Sequence, residues 1–117
     1  MLTLKRLEVS EVGDVCVVHF RDQRIIDDLA IQETGQELSQ LVEEEGRRKL
    51  LLDFASVRFM SSAALGKLIT VNKKMKAQGG VVKMCNIRPE IHEVFAITRL
   101  DRLFDIKKDD AEALADF

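Results

Sequence analysis

The chain has 117 residues, which suits one domain spanning residues 1–117, and its 46% hydrophobic content is enough for a core that needs no staples. Charged residues make up 32% and nearly cancel to a net charge of −2, which argues against a direct nucleic-acid binder and against a membrane-surface helix with one basic face. No run approaches ~20 apolar residues, and MLTLKRLEVS at the N-terminus has no apolar core or cleavage site, so neither a membrane span nor a signal peptide is expected and the setting is expected to be cytoplasmic.

Residues 2–20 are expected to form a hairpin. LTLKRLEVSEV alternates apolar and polar as a half-buried strand does, Gly13-Asp14 is a turn signal, and VCVVHF suits a more central strand. RDQRIIDD then reads as a polar loop that Ile25 and Ile26 could anchor, with Asp27 or Asp28 capping the next helix. Apolar or small residues at 31, 34/35, 38 and 41/42 recur at helical spacing through Glu45, and Gly46 closes that helix. Gly35 inside it costs ~1 kcal/mol relative to alanine and marks a possible close approach to another element.

Leu50-Leu51-Leu52, ending at Asp53, reads as a strand buried on both faces. A helix follows, closed by Gly79-Gly80, and then VVKMCNI, another strand. A helix joins these two strands, so they should be parallel. Arg88-Pro89-Glu90 opens a helix whose apolar face is expected to be Ile91, Val94, Phe95 and Ile97, since proline is tolerated in a first turn. Leu100, Leu103, Phe104 and Ile106 suggest a short extended return, and DDAEALADF a last helical turn or two. The order β-β-α-β-α-β-α, then a short β and α, describes a small α/β layer with a mixed sheet.

Catalytic constellations are scarce. His19 and His92 have no Cys, Asp or Glu at a spacing that suggests a metal site, and no Gly-rich phosphate loop is present, so no metal and no cofactor are expected. Cys16 and Cys85 each sit in an apolar run and are expected to be buried thiols. Tyr and Trp are absent, which removes the usual base-stacking platforms.

What remains is FMSSAALG at residues 59–66. With a helix beginning near Ser61 and ~100° of rotation per residue, Ala64, Leu68, Val71 and Met75 form the core stripe, with Leu65 on its flank. Ser61 points towards the edge of that stripe. Ser62 points almost opposite, in line with Gly66, Ile69 and Lys73. Ser61 is therefore the better local cap and Ser62 the better exposed hydroxyl, a place where free amides and the helix dipole stabilise an added phosphate. Both serines as simple caps is the alternative.

The stretch LLLDFASVRFMSSAALGKLI resembles the signature of anti-sigma-factor antagonists, the STAS domain family. There a buried strand ends in Asp, a hydrophobe-aromatic pair follows, and an Asp-Ser-Ser/Thr-Gly-Leu-Gly turn opens a helix. Asp53, Val57, Phe59, Met60, Ser62, Leu65 and Gly66 match. Ser61 stands where the family has Asp, and Ala63-Ala64 where it has Ser/Thr-Gly. The element order agrees along essentially the whole chain. The resemblance implies a single-domain STAS-like fold: a mixed four- to five-stranded sheet with an N-terminal antiparallel hairpin and helices mainly on one side.

It also implies a non-enzymatic module that binds an anti-sigma factor which is itself a serine kinase, with phosphorylation at Ser62 abolishing binding and a phosphatase resetting it. Ile69, Lys73, Gly66 and Ser61 would then belong to the partner-binding surface. So would an Asp of the loop after the second strand, Asp27 by its Ile-Ile-Asp context or else Asp22. A monomer or weak dimer is expected, with no membrane contact. The alternative is a non-phosphorylated STAS scaffold subunit of a signalling or lipid-transport assembly, motivated by Ser61 replacing the Asp. A small enzyme or nucleotide-binding protein is a third reading, without a phosphate loop or catalytic pair to carry it.

Overall fold

The computed structural model describes residues 4–117, so Leu2 and Thr3, where the expected hairpin begins, lie outside the described residues. The hairpin itself is β1 (Leu7–Val12) and β2 (Val15–Phe20), antiparallel in a register that pairs Val12 with Val15. Gly13 takes the turn at φ 60°, a value that costs glycine little. β4 (Lys49–Asp53) lies parallel to β2, and β6 (Val81–Cys85) parallel to β4. β7 (Asp105–Lys107) closes the sheet beside β6, in the order β1-β2-β4-β6-β7. The sheet is mixed and five-stranded, as the sequence suggests.

Alternation along the strands sorts the two faces. Cys16, Val18, Phe20, Leu50, Leu52, Val82 and Met84 belong to the main core, which also takes buried residues of α1 (Asp28–Glu43), α2 (Ser62–Ala77) and α3 (Pro89–Ile97). Val15, Val17, Leu51 and Cys85 belong to a smaller cluster under Ala113 of α4 (Asp110–Ala115). Three helices thus cover one face and one short helix the other. Cys16 and Cys85 are both buried and free, and they sit on opposite faces with β4 between their strands, so they cannot pair. Burial raises the Cys16 thiol to about 11 and the Cys85 thiol to about 12.

α1 and α2 pack against each other along this face. Gly35 lies in their contact, against Lys67 of α2. A Cβ there would lie 2.9 Å from Cδ of Lys67, so the glycine lets the aliphatic stem of Lys67 cross α1. The acidic run at the end of α1, which opposes the helix dipole, finds cations instead. Glu43 pairs with Lys74 of α2 at 2.9 Å and Glu45 with Arg47 at 3.1 Å.

Four expectations need correction. RDQRIIDD is not loop throughout, because Arg24–Ile25 forms β3, parallel to a second two-residue strand, β5 (Phe59–Met60). Within it Ile25 is buried, whereas Ile26 faces solvent. Ile97 is not part of the α3 core face and is 74% exposed, since it lies in the last residue of a nine-residue helix beyond the sheet. The return after α3 is not extended throughout: Leu100–Arg102 make one 3-10 turn before β7, with Phe104 buried and Leu103 outward. α1 ends at Glu43 rather than Glu45.

Candidate functional site

The site is built where β4 hands the chain to α2. β4 ends in Asp53, a buried carboxylate whose Oδ1 accepts from the Ala55 N–H at 2.9 Å and from Nδ2 of Asn86 at 3.1 Å. Its Oδ2 lies 3.6 Å from Nδ1 of His19 on the neighbouring strand. Buried carboxylates need such partners, and here the partners also define the path of the loop. Asn86 reaches Asp53 from a left-handed backbone at φ 57°, and Arg88 donates through Nη2 to the Ala55 carbonyl at 3.0 Å. Residues of the loop after β6 therefore hold the start of the loop after β4.

That loop delivers β5 to β3. The N–H groups of Arg58 and Phe59 donate to the Gln23 carbonyl at 2.8 and 3.2 Å, and the Ser61 N–H donates to the Ile25 carbonyl at 3.1 Å. The small parallel pair places the loop after β2 against the mouth of α2. It ties together the two segments that carry the residues singled out in the sequence.

Ser61 and Ser62 then divide as the rotation argument expects. Ser61 is the N-cap, extended at φ −80° and ψ 165°, and its Oγ accepts from the Ala64 N–H at 3.2 Å. Ser62 is the first helical residue and is exposed. Ala64, Leu65, Leu68, Val71 and Met75 are buried, and so is Asn72. On the other side Gly66 and Lys73 are exposed, and Ile69 is half-buried against the core rather than fully outward. A Cβ at Gly66 would meet nothing within 4 Å, so its small size leaves an open surface beside Ser62. The first turn of α2 carries no acid and its last turn carries Lys74 and Lys76. Its N-terminus is thus electrostatically free to favour an anion.

The two aspartates of the loop have local work. Asp27 is exposed and caps α1, its Oδ1 accepting from the Ala30 N–H at 2.7 Å. It lies two residues past Ile25, so the β3–β5 pairing brings it to the Ser61 side of the molecule. Asp22 pairs with Nη1 of Arg6 at 3.2 Å, and the same guanidinium binds Glu33 of α1 at 2.9 Å. Asp22 is therefore part of a clasp between the N-terminal segment, the loop and α1.

Sequence reading missed a set of outward apolar side chains here. Phe59, Ile26 and Leu29 are 49%, 44% and 61% exposed, and the Arg24 guanidinium carbon lies 5.0 Å from the centroid of the Phe59 ring. For Ile26 the available signal was an apolar residue in a polar loop with no periodic partner. It missed Glu37 too, a glutamate on the buried face of α1. Its carboxylate accepts from the backbone N–H groups of Lys5, Arg6 and Leu7 at 3.0–3.2 Å. Among the described residues no group of three or more His, Cys, Asp or Glu could hold a metal ion. No helix among them is long and apolar enough to cross a membrane.

Comparison with known proteins agrees with this geometry. The STAS domain model matches residues 6–113. A Bordetella bronchiseptica protein, BtrV, named as a candidate anti-sigma factor antagonist, is 26% identical over 95 residues, covering 81% of each chain. The anti-sigma-factor antagonist (STAS) domain protein of Planctomyces limnophilus superposes with a TM-score of 0.82 at 24% identity, covering 93% of this chain and 94% of its own. The phosphorylated form of the Bacillus cell fate determinant SpoIIAA superposes with a TM-score of 0.70 at 17% identity, covering 93% and 96%.

Proposed function

The chain belongs to the STAS domain family, and from that we propose that it is a regulatory binding module of the anti-sigma-factor-antagonist kind, without catalysis of its own. It binds a protein partner, an anti-sigma factor that is also a serine kinase, through the face around the N-terminus of α2. Phosphorylation of Ser62 by that partner abolishes binding, and a phosphatase restores it. Ser61, Gly66, Ile69 and Lys73 of α2 and Asp27 of the adjoining loop contribute to the face, and Asp22 shapes it through Arg6.

The observation that carries this reading is the division of labour between the two serines. Ser61 uses its hydroxyl to cap the helix, while the hydroxyl of Ser62 is exposed at a helix N-terminus free of first-turn acids. A phosphate there adds about −1.5 to −2 charges where amides and the dipole accept them, so the fold is kept while the surface changes sign. That is the behaviour a binding switch needs. The exposed Phe59, Ile26 and Leu29 beside it supply the apolar area that a partner would bury.

The test is phosphosite mapping. Incubation with the kinase encoded nearest the gene and ATP, followed by mass spectrometry, should give one modified residue, Ser62, and none in Ser62→Ala. Modification of another residue, or none with any neighbouring kinase, sinks the switch.

A further inference from the structure

We propose that the cleft where β6 and β7 leave the sheet is a second site, lined by residues other than those of α2, which binds a phosphoryl group as free phosphate or a small phosphomonoester. The cleft has a volume of about 230 Å³ and is lined by Ile87, His92, Ile106, Lys107 and Lys108. It lies at the carboxyl end of β7 and just past that of β6. The β6–β7 ladder runs one step past the strands, with the Asn86 N–H donating to the Lys108 carbonyl at 3.3 Å. This bond fixes the two strand exits side by side. α3, entered through Pro89, carries His92 over the opening.

The lining has a chemistry of its own. Its titratable residues are Lys107, Lys108 and His92, and none is an acid. The Lys107 ammonium adds no free charge to it, since its Nζ is held on the α4 face, 3.4 Å from Asp105 and 3.2 Å from Asp116. Lys108 is exposed and takes part in none of the ion pairs found among the described residues. His92 donates at least one N–H in either protonation state. Ile87 and Ile106 are half-buried and packed on the core, so the remaining walls carry no side-chain acceptor that would compete for these donors. Donors from the end of β7 and from α3, Lys108 and His92, beside apolar walls suit a compact dianion with several acceptor oxygens. A long polyanion is a poor match for so small a cleft on a chain of net charge −2.

The experiment uses His92 as a built-in reporter. His92 lies at the cleft, by the carboxyl ends of β6 and β7, whereas the Gly13 turn lies at the amino end of β2, so the His92 imidazole C–H signals and the Gly13 amide separate the site from the rest of the molecule in proton NMR. Inorganic phosphate and O-phospho-L-serine are titrated at constant pH against sodium chloride of matched ionic strength. We expect a saturable shift at His92 with the Gly13 amide unmoved, and an affinity about fivefold weaker in Lys108→Gln, whose amide spectrum reports an intact fold. Equal affinity for both ligands assigns free phosphate, and tighter binding of phosphoserine assigns a phosphomonoester. A shift reproduced by sodium chloride, a shift that does not saturate, or an affinity unchanged in Lys108→Gln overturns the proposal. So does a response confined to the amides of Ser62 to Ala64, which would put the anion on α2. The outcome is independent of whether Ser62 is a kinase substrate.

Discussion

The backbone N–H of Ser61 donates to the carbonyl of Ile25 at 3.1 Å, while the Ser61 side chain caps the helix that Ser62 begins. One residue thus fastens the loop after β2 to the mouth of α2 and also starts the helix. Ser62, next in sequence, has neither task. A residue without structural work can change its charge without changing the fold.

Stability should separate the two serines. Ser61→Ala removes the cap of α2 and should cost about 1 kcal/mol in urea unfolding. Ser62→Ala is expected to stay within about 0.5 kcal/mol of wild type, as surface changes away from such features do. Equal losses in the two variants would mean that Ser62 shares the capping role.

Asp53 holds the loop that presents both serines. Asp53→Ala leaves the Ala55 N–H and the Asn86 amide without their acceptor and should cost about 3 kcal/mol. The local signature matters more. Amide shifts in the spectrum should spread through residues 54–62 and to Asn86, and should spare α4. A loss of stability with no change at residues 58–62 would show that Asp53 does not position the α2 mouth.

On the opposite face, Lys83 is a buried cation paired with Asp105 and, at 2.8 Å, with Asp116; its Nζ also stands 5.3 Å from the centroid of the Phe117 ring. Lys107 joins the same two acids. The bonds to these lysines hold Asp105 and Asp116 below the usual carboxylate range. A carboxyl depressed in the folded state binds fewer protons there than in the unfolded chain. Its contribution is therefore present above about pH 4 and lost as pH falls through the folded value. Lys83 and Lys107 are raised, so theirs is present below about pH 10.4 and lost only at more alkaline pH. Unfolding followed from pH 6 to pH 2 should fall more steeply for wild type than for Lys83→Met. Parallel curves would show that the network contributes nothing to the acid limb.

The order of elements along the chain and most of the helix faces were legible because each rests on a local period. Leu50 to Leu52 read as doubly buried, and Leu50 and Leu52 face one core while Leu51 faces the other. Gly35 announced a close approach because a mid-helix glycine needs a reason, and Lys67 supplies it. The division of Ser61 from Ser62 followed from rotation alone. The β3–β5 pair was not legible, since two residues carry no period and their pairing is set by tertiary hydrogen bonds to Gln23 and Ile25. Glu37 was hidden for a related reason. Its partners are backbone amides some thirty residues away, and a sequence pattern shows only a charge on the wrong face.

The exposed Phe59, Ile26 and Leu29 give a prediction about the proposed partner. Phe59 is the one of them that meets a guanidinium, that of Arg24, and aromatic and arginine side chains at interface centres carry a large share of binding energy. Phe59→Ala should weaken the complex with the anti-sigma kinase by about 2 kcal/mol in calorimetry, with stability altered by less than about 1 kcal/mol. Unaltered affinity would move the partner face off the β3–β5 edge.

The central claim is that charge on Ser62 controls partner binding. The most direct measurement is the affinity of the anti-sigma kinase for two samples of this protein, one unmodified and one fully phosphorylated at Ser62, at the same ionic strength. The expected result is a loss of affinity of about 100-fold or more on phosphorylation, restored by phosphatase treatment, with thermal stability little changed, because a dianion brought into a buried interface costs several kcal/mol. Equal affinity of the two samples would contradict the claim.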